Sequence, residues 1–217
     1  MKAIMFASVL TLDRKAVTDL KITDPYSIHR VVYSLFEDVR TEVEKLSGKA
    51  SGIIYADQGG TVYGRQILIL SNHVPLTCVD DQYGQVKTKK INKSFLNYDR
   101  YRFKVGVNPC QRNNKTRKLV PVKGRDAVAK WFAQRSEKSW GFSAGNAHLQ
   151  VDNIEVLQFK GKKQRPITIA KASLQGILHV TDQEKFTQSF QQGIGRGRAF
   201  GCGLLQIVPQ PDNPFNQ

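Results

Sequence analysis

Cysteine is scarce: three residues in 217, at positions 78, 110 and 202, too few and too widely spaced for a disulfide framework or a zinc site. They suit a reducing compartment, so a cytoplasmic protein is expected. Long hydrophobic runs are missing as well, and no segment approaches the ~20 apolar residues of a membrane-spanning helix. The N-terminal "MKAIMFASVLTLDRK" contains a short apolar run, but it alternates and lacks a clear small-residue cleavage site. It reads as a first strand, not a leader peptide. The four histidines, His29, His73, His148 and His179, share no ligand spacing with one another or with a cysteine, so neither a metal nor a cofactor is expected. No nucleotide fingerprint, P-loop lysine or nucleophile elbow is present. Acidic residues are also few: 18 Asp and Glu stand against 33 Lys and Arg, giving a net charge of +15. A surplus of that size bears on partners more than on fold, and its clustering points to nucleic acid.

What is there reads as one pattern used twice. Residues 2–11 form a first strand, and "DPYSIHRVVYSLFEDVRTEVEKL" a helix, with Asp24 as its cap and Pro25 in the first turn. "SGIIYAD" and "RQILILS" follow as strands, with "QGG" as the hairpin turn between them. A weak helix in "HVPLTCVDDQYG" and a strand in "QVKTKKI" complete the first unit. In "YRFKVGVNP", Tyr101, Phe103, Val105 and Val107 alternate with Arg102 and Lys104, the period of a strand. "GRDAVAKWFAQRSEKS" reads as a helix, and two long strands run through "HLQVDNIEVLQFKG" and "ITIAKASLQGILHVT". "TDQEKFTQSFQQG" is a further helix, with Thr181 and Glu184 as a capping box and Gly193 as its stop. "CGLLQIV" is the last strand, and the polar, proline-rich tail "PQPDNPFNQ" carries no element.

The expected fold class is therefore α+β: tandem ferredoxin-like (RRM-like) domains, residues 1–97 and 98–217. Each is a four-stranded antiparallel sheet with two helices on one face.

The glycine-rich stretch "QQGIGRGRAFGCGLL" links the last helix to the last strand. A tight connection needs one or two glycines. Five of them, with Arg196 and Arg198 interspersed, suggest a backbone that approaches something closely while guanidinium groups reach phosphates. Other cations also cluster: Arg102, Lys104, Lys115 and Arg117 in one stretch, and Lys160, Lys162, Lys163 and Arg165 at a hairpin tip. Such groups make strong, salt-sensitive RNA contacts with little sequence information.

Chemistry centres on the first helix. At ~100° per residue, Ile28, Val32, Leu35, Phe36, Val39 and Val43 form an apolar stripe, and Tyr26, His29, Tyr33 and Arg40 fall along its flank. An imidazole at such a boundary is half-sheltered and titrates near neutrality. On helix geometry alone it is an ordinary boundary residue. RNA gives it a use, because the 2′-hydroxyl is a built-in nucleophile that needs only alignment, a proton acceptor and cations for the phosphorane.

"DPYSIHRVVYSLF" and "QQGIGRGRAFGCGLL", one near each end, resemble the two signature regions of the CasE family, CRISPR repeat-processing endoribonucleases of the type I-E Cascade complex. The resemblance spans essentially the whole chain. It implies two ferredoxin-like domains, binding of the repeat stem-loop, and a metal-independent cut at the base of the stem through a 2′,3′-cyclic phosphate. It also implies retention of the product and assembly with the other Cascade subunits, with no membrane. By position in the motif, His29 matches the catalytic histidine and Tyr26 its companion tyrosine. Gly195, Arg196, Gly197, Arg198 and Gly201 match the loop near the active site and RNA. A non-catalytic RNA-binding subunit of a ribonucleoprotein, or a generic basic RNA-binding protein, would share the charge but not the Tyr26/His29 pair with a distant glycine loop.

Overall fold

A computed structural model describes residues 4–37, 51–145 and 149–211. Val39, Arg40, Val43, His148 and the tail from 212 onward lie outside the described residues.

Strand β1 (Phe6–Leu12) buries Leu10 and Leu12 on one face, as its alternation requires. A short helix absent from the sequence reading follows, α1 (Arg14–Asp19), started by Asp13, whose carboxylate accepts the Ala16 amide at 2.7 Å. Helix α2 (Pro25–Ser34) opens on a reciprocal capping box. The Ser27 amide donates to Asp24 Oδ1 at 2.7 Å, and the Asp24 amide donates to Ser27 Oγ at 3.0 Å. Ile28, Val32, Leu35 and Phe36 are buried, and Val31 widens the stripe.

Strands β2 (Ile53–Thr61) and β3 (Gly64–Ser71) pair as a hairpin, but not around Gln58-Gly59-Gly60. Those residues stay in β2 as a bulge, with the register shifting between Asp57 and Gly60, and the turn is made by Val62 and Tyr63. Residues 72–84 form no helix; they run irregularly, pinned by a bridge between Val79 and Tyr83, with Val79 buried. Strand β4 (Gln85–Lys90) closes the sheet in the order β2-β3-β1-β4, every neighbour antiparallel. Both described helices of this unit thus come from the β1–β2 connection. Ala16, Ile28 and Val32 pack with Leu10, Leu12, Tyr55, Ile67 and Ile69, and Val79 fills the remaining part of that face.

The second sheet begins with β5 (Arg100–Val107), whose Tyr101, Phe103, Val105 and Val107 are buried as alternation predicted. A small hairpin, β6 (Cys110–Arg112) and β7 (Leu119–Pro121), interrupts before α3 (Arg125–Arg135). Strands β8 (Phe142–Ser143) and β9 (Gln150–Lys160) both pair with the long β10 (Pro166–Val180), so one place in the expected four-stranded sheet is filled by two strands. Helix α4 (Gln183–Gln192) is capped by Asp182, which accepts the Lys185 amide at 3.0 Å, not by Thr181. The Thr181 and Asp182 amides both donate to the Gly141 carbonyl at 3.0 Å. Strand β11 (Gln206–Pro209) completes the order β11-β5-β10-β8.

Two features of this sheet position the site. Strand β5 meets β10 only from Ala172 onward, so the β9–β10 hairpin extends past the body of the sheet. And the main core is shared: Met5, Ile54, Ala56 and Leu70 of the first sheet join Tyr101, Phe103, Phe132, Phe186, Phe190, Leu204 and Leu205.

Candidate active site

Capping and helix period place Tyr26, His29 and Tyr33 along one side of α2. The His29 ring lies 4.2 Å from that of Tyr33 and 6.0 Å from that of Tyr26, centroid to centroid. Across from it stands Phe200, ring centroid 6.0 Å away, itself edge-on to Phe159 of β9 at 4.9 Å. His29 is half-buried, and its Nδ1 is enclosed without a hydrogen-bond partner. Burial pushes its pKa below the ordinary histidine value, while the nearby Ala199 carbonyl, which favours the charged ring, partly opposes this. Burial thus favours the neutral ring, the form that accepts a proton.

In the segment 193–203, close packing accounts for Gly193, Gly201 and Gly203, while Gly195 faces open space. Gly193, Gly195, Gly197, Gly201 and Gly203 all have positive φ. At Gly203 a Cβ would stand 2.4 Å from the Ile194 carbonyl oxygen, and at Gly201 3.3 Å from the Tyr55 ring. Between them, Arg198–Phe200 makes a short 3-10 turn that packs on α2 and β2. Tyr55, buried in β2, donates its hydroxyl hydrogen to the Ala199 carbonyl at 2.8 Å. The turn is thereby fastened to the first sheet although its own strand belongs to the second.

Tyr26 and His29 line a groove of about 650 Å³ together with Lys162, Arg165, Pro166, Ile167 and Phe200. One wall is helix α2; the other is the tip of the β9–β10 hairpin. Lys160 is exposed at the end of β9, and the side chain of Lys163 lies outside the described residues. The remaining predicted residues are elsewhere. Lys104, with Arg102 on the same face of β5, lines a separate cavity of about 460 Å³ on the far side of Phe200, beside the ion pairs Arg65–Asp57 and Lys171–Glu155. Lys115 and Arg117 are exposed at the β6–β7 turn. Arg196 lies near Cys110, whose thiol it helps to ionise against burial. Arg198 donates to the Gln192 carbonyl at 2.8 Å, closing the end of α4 instead of facing the groove. Tyr55, Phe159 and Phe200 escaped the sequence reading; the only trace was a tyrosine in the otherwise apolar run "IIYA". Among the described residues, no group of three or more His, Cys, Asp or Glu side chains could hold a metal, and all three cysteines are free. No described helix is long and apolar enough to cross a membrane.

Two antiparallel sheets in ferredoxin-like order, with a histidine-bearing cleft walled by a basic hairpin, define a tandem RRM-like protein. A family model described as "CRISPR associated protein" matches residues 5–209, and the chain belongs to that family. It is 27% identical over 141 residues to the CRISPR-associated endoribonuclease Cse3 of Thermus thermophilus, a match spanning 60% of this chain and 66% of that protein. To the Cascade subunit CasE of Escherichia coli it is 21% identical over 193 residues, 86% of this chain and 92% of the relative. In fold it is similar to Cse3 bound to a 19-nucleotide RNA, with a TM-score of 0.77 at 23% identity, covering 95% of this chain and all (100%) of the other. The E. coli protein Cas6e follows at TM-score 0.61 and 19% identity, covering 94% of this chain and 100% of that one.

Proposed function

We propose that the protein is a metal-independent endoribonuclease of CRISPR repeats. It binds the repeat stem-loop in precursor RNA, cuts at the base of the stem, and stays on the mature guide RNA among the other subunits of the Cascade complex in the cytoplasm. Its two units are residues 1–97, with the catalytic helix, and 98–217, with the basic hairpin and the glycine-rich loop. The observation that carries this reading is the groove itself: an imidazole and a phenol from helix α2 face Lys162 and Arg165 from the tip of the β9–β10 hairpin. The names of the relatives, an endoribonuclease and a Cascade subunit, support it.

The chemistry follows from the groups present. His29 lines the groove, and its imidazole takes the proton of the 2′-hydroxyl. The freed 2′-oxygen bonds to the adjacent phosphorus, and the bond from phosphorus to the 5′-oxygen breaks, leaving a 2′,3′-cyclic phosphate. Lys162 and Arg165 neutralise the charge that builds on the non-bridging oxygens. Tyr26 hydrogen-bonds the reacting group or orients it, and the leaving 5′-oxygen takes its proton from Tyr26 or from the imidazolium of His29. No step draws on a metal ion.

The test is incubation of the protein with its cognate repeat hairpin in EDTA. Specific cleavage is expected, lost by at least about a hundredfold in His29→Ala while hairpin binding survives. Tight binding with no cleavage by the unaltered protein would instead make it a non-catalytic RNA-binding subunit.

A further inference from the structure

Resting on the endoribonuclease reading above, we propose that Tyr55 is a positioning residue for the cleavage step: its hydroxyl, through the Ala199 carbonyl, fixes the 198–200 turn against His29. Tyr55 is 1% exposed, at a position in β2 where a phenylalanine would fill the same space. A hydroxyl sunk in a core costs stability unless it is bonded, and this one has its partner 144 residues away in the chain. That partner belongs to the turn that carries Phe200 onto the His29 ring.

The Ala199 carbonyl accepts the Tyr55 hydroxyl and stands in the turn next to Phe200, whose ring faces His29. A carbonyl has two lone pairs; Tyr55 occupies one and so fixes the direction of the group. The same oxygen is what supports a positive charge on His29 against burial. Around the ring stand Tyr26 and Tyr33 from α2, Lys162 and Arg165 from the β9–β10 hairpin, and Phe200 from the turn. Among the described residues the groove lining includes no carboxylate, and of those residues' groups a backbone carbonyl is the one that can steady the imidazolium once the 2′-hydroxyl has given up its proton. Gly201 belongs to the same device, because its missing side chain lets the Tyr55 ring lie against the turn.

The experiment compares the full-length protein with Tyr55→Phe in single-turnover cleavage of the repeat hairpin from pH 5 to 9, alongside hairpin affinity. Tyr55→Phe keeps the ring and removes the hydroxyl. Affinity should stay within about twofold, and the cleavage rate should fall between about tenfold and a hundredfold. The limb of the pH–rate profile that belongs to His29 should move to lower pH, because the released carbonyl no longer favours the charged ring. Gly201→Ala should give the same pattern, and the double variant should lose less than the product of the two. An unchanged rate and profile overturns the proposal; so does a rate that falls in step with affinity and leaves the profile in place, since that is a packing effect. If the unaltered protein binds the hairpin but does not cut it, the endoribonuclease reading fails by itself. The positioning claim is then decided by the NMR titration of the His29 ring, which must shift to lower pH in Tyr55→Phe or the claim falls as well.

Discussion

His29 shows how burial shifts the titration of an ordinary boundary residue. Its pKa in the folded chain lies below the value of about 6.5 that it has when unfolded. Between those two values the unfolded chain binds the proton more readily, so folding stability falls as pH drops through that window and levels off below the folded pKa. Urea unfolding from pH 7.5 down to 5 should therefore show a steeper loss for the unaltered protein than for His29→Gln; parallel curves would contradict the assignment. The sequence made His29 and Tyr26 visible because helix period is a local code and the cap at Asp24 sets its phase. Tyr55 and Phe200 were invisible for the opposite reason. Their importance lies in a contact between positions 55 and 199, and between 29 and 200, and no spacing rule reaches across such separations.

Elements divide in the same way. Strands with strict alternation, such as Tyr101 to Val107, were legible residue by residue, since each buried side chain declares its neighbour's exposure. The turns were not. Gly59 and Gly60 read as a hairpin turn, yet they serve a bulge that lets β2 continue to Thr61. The segment 72–84 lies where the pattern places a helix, but one buried valine and a bridge do the covering. In the 193–203 segment, composition announced close approach without saying to what. The contacts now separate positions that composition cannot. Gly203→Ala drives a Cβ against the Ile194 carbonyl in a left-handed backbone and should destabilise the fold by about 3 kcal/mol. Gly195→Ala, in the same backbone region but facing open space, should cost about 1 kcal/mol. Equilibrium urea denaturation of the two variants measures the difference, and equal losses would mean that packing is not what those glycines serve.

For the whole molecule, the net charge of +15 named the class of partner but not the residues that meet it. Of the cations singled out in the sequence, Lys162 and Arg165 line the groove beside His29, while Arg198 is spent on a helix end and Lys104 faces another cavity. If the groove holds the reacting phosphate, Lys162→Ala and Arg165→Ala should each lower the slope of log affinity against log salt by about 1, whereas Arg198→Ala should leave that slope unchanged. Hairpin binding measured from 50 mM to 400 mM salt reads this directly, and equal slopes for all three variants would remove Lys162 and Arg165 from the phosphate site.

The groove draws one wall from residues 26–29, another from residues 162–167, and its rear from residue 200. On the ribosome these arrive far apart in time, so a chain cut short before residue 200 lacks the rear of the groove, and one cut short before residue 162 lacks its second wall as well.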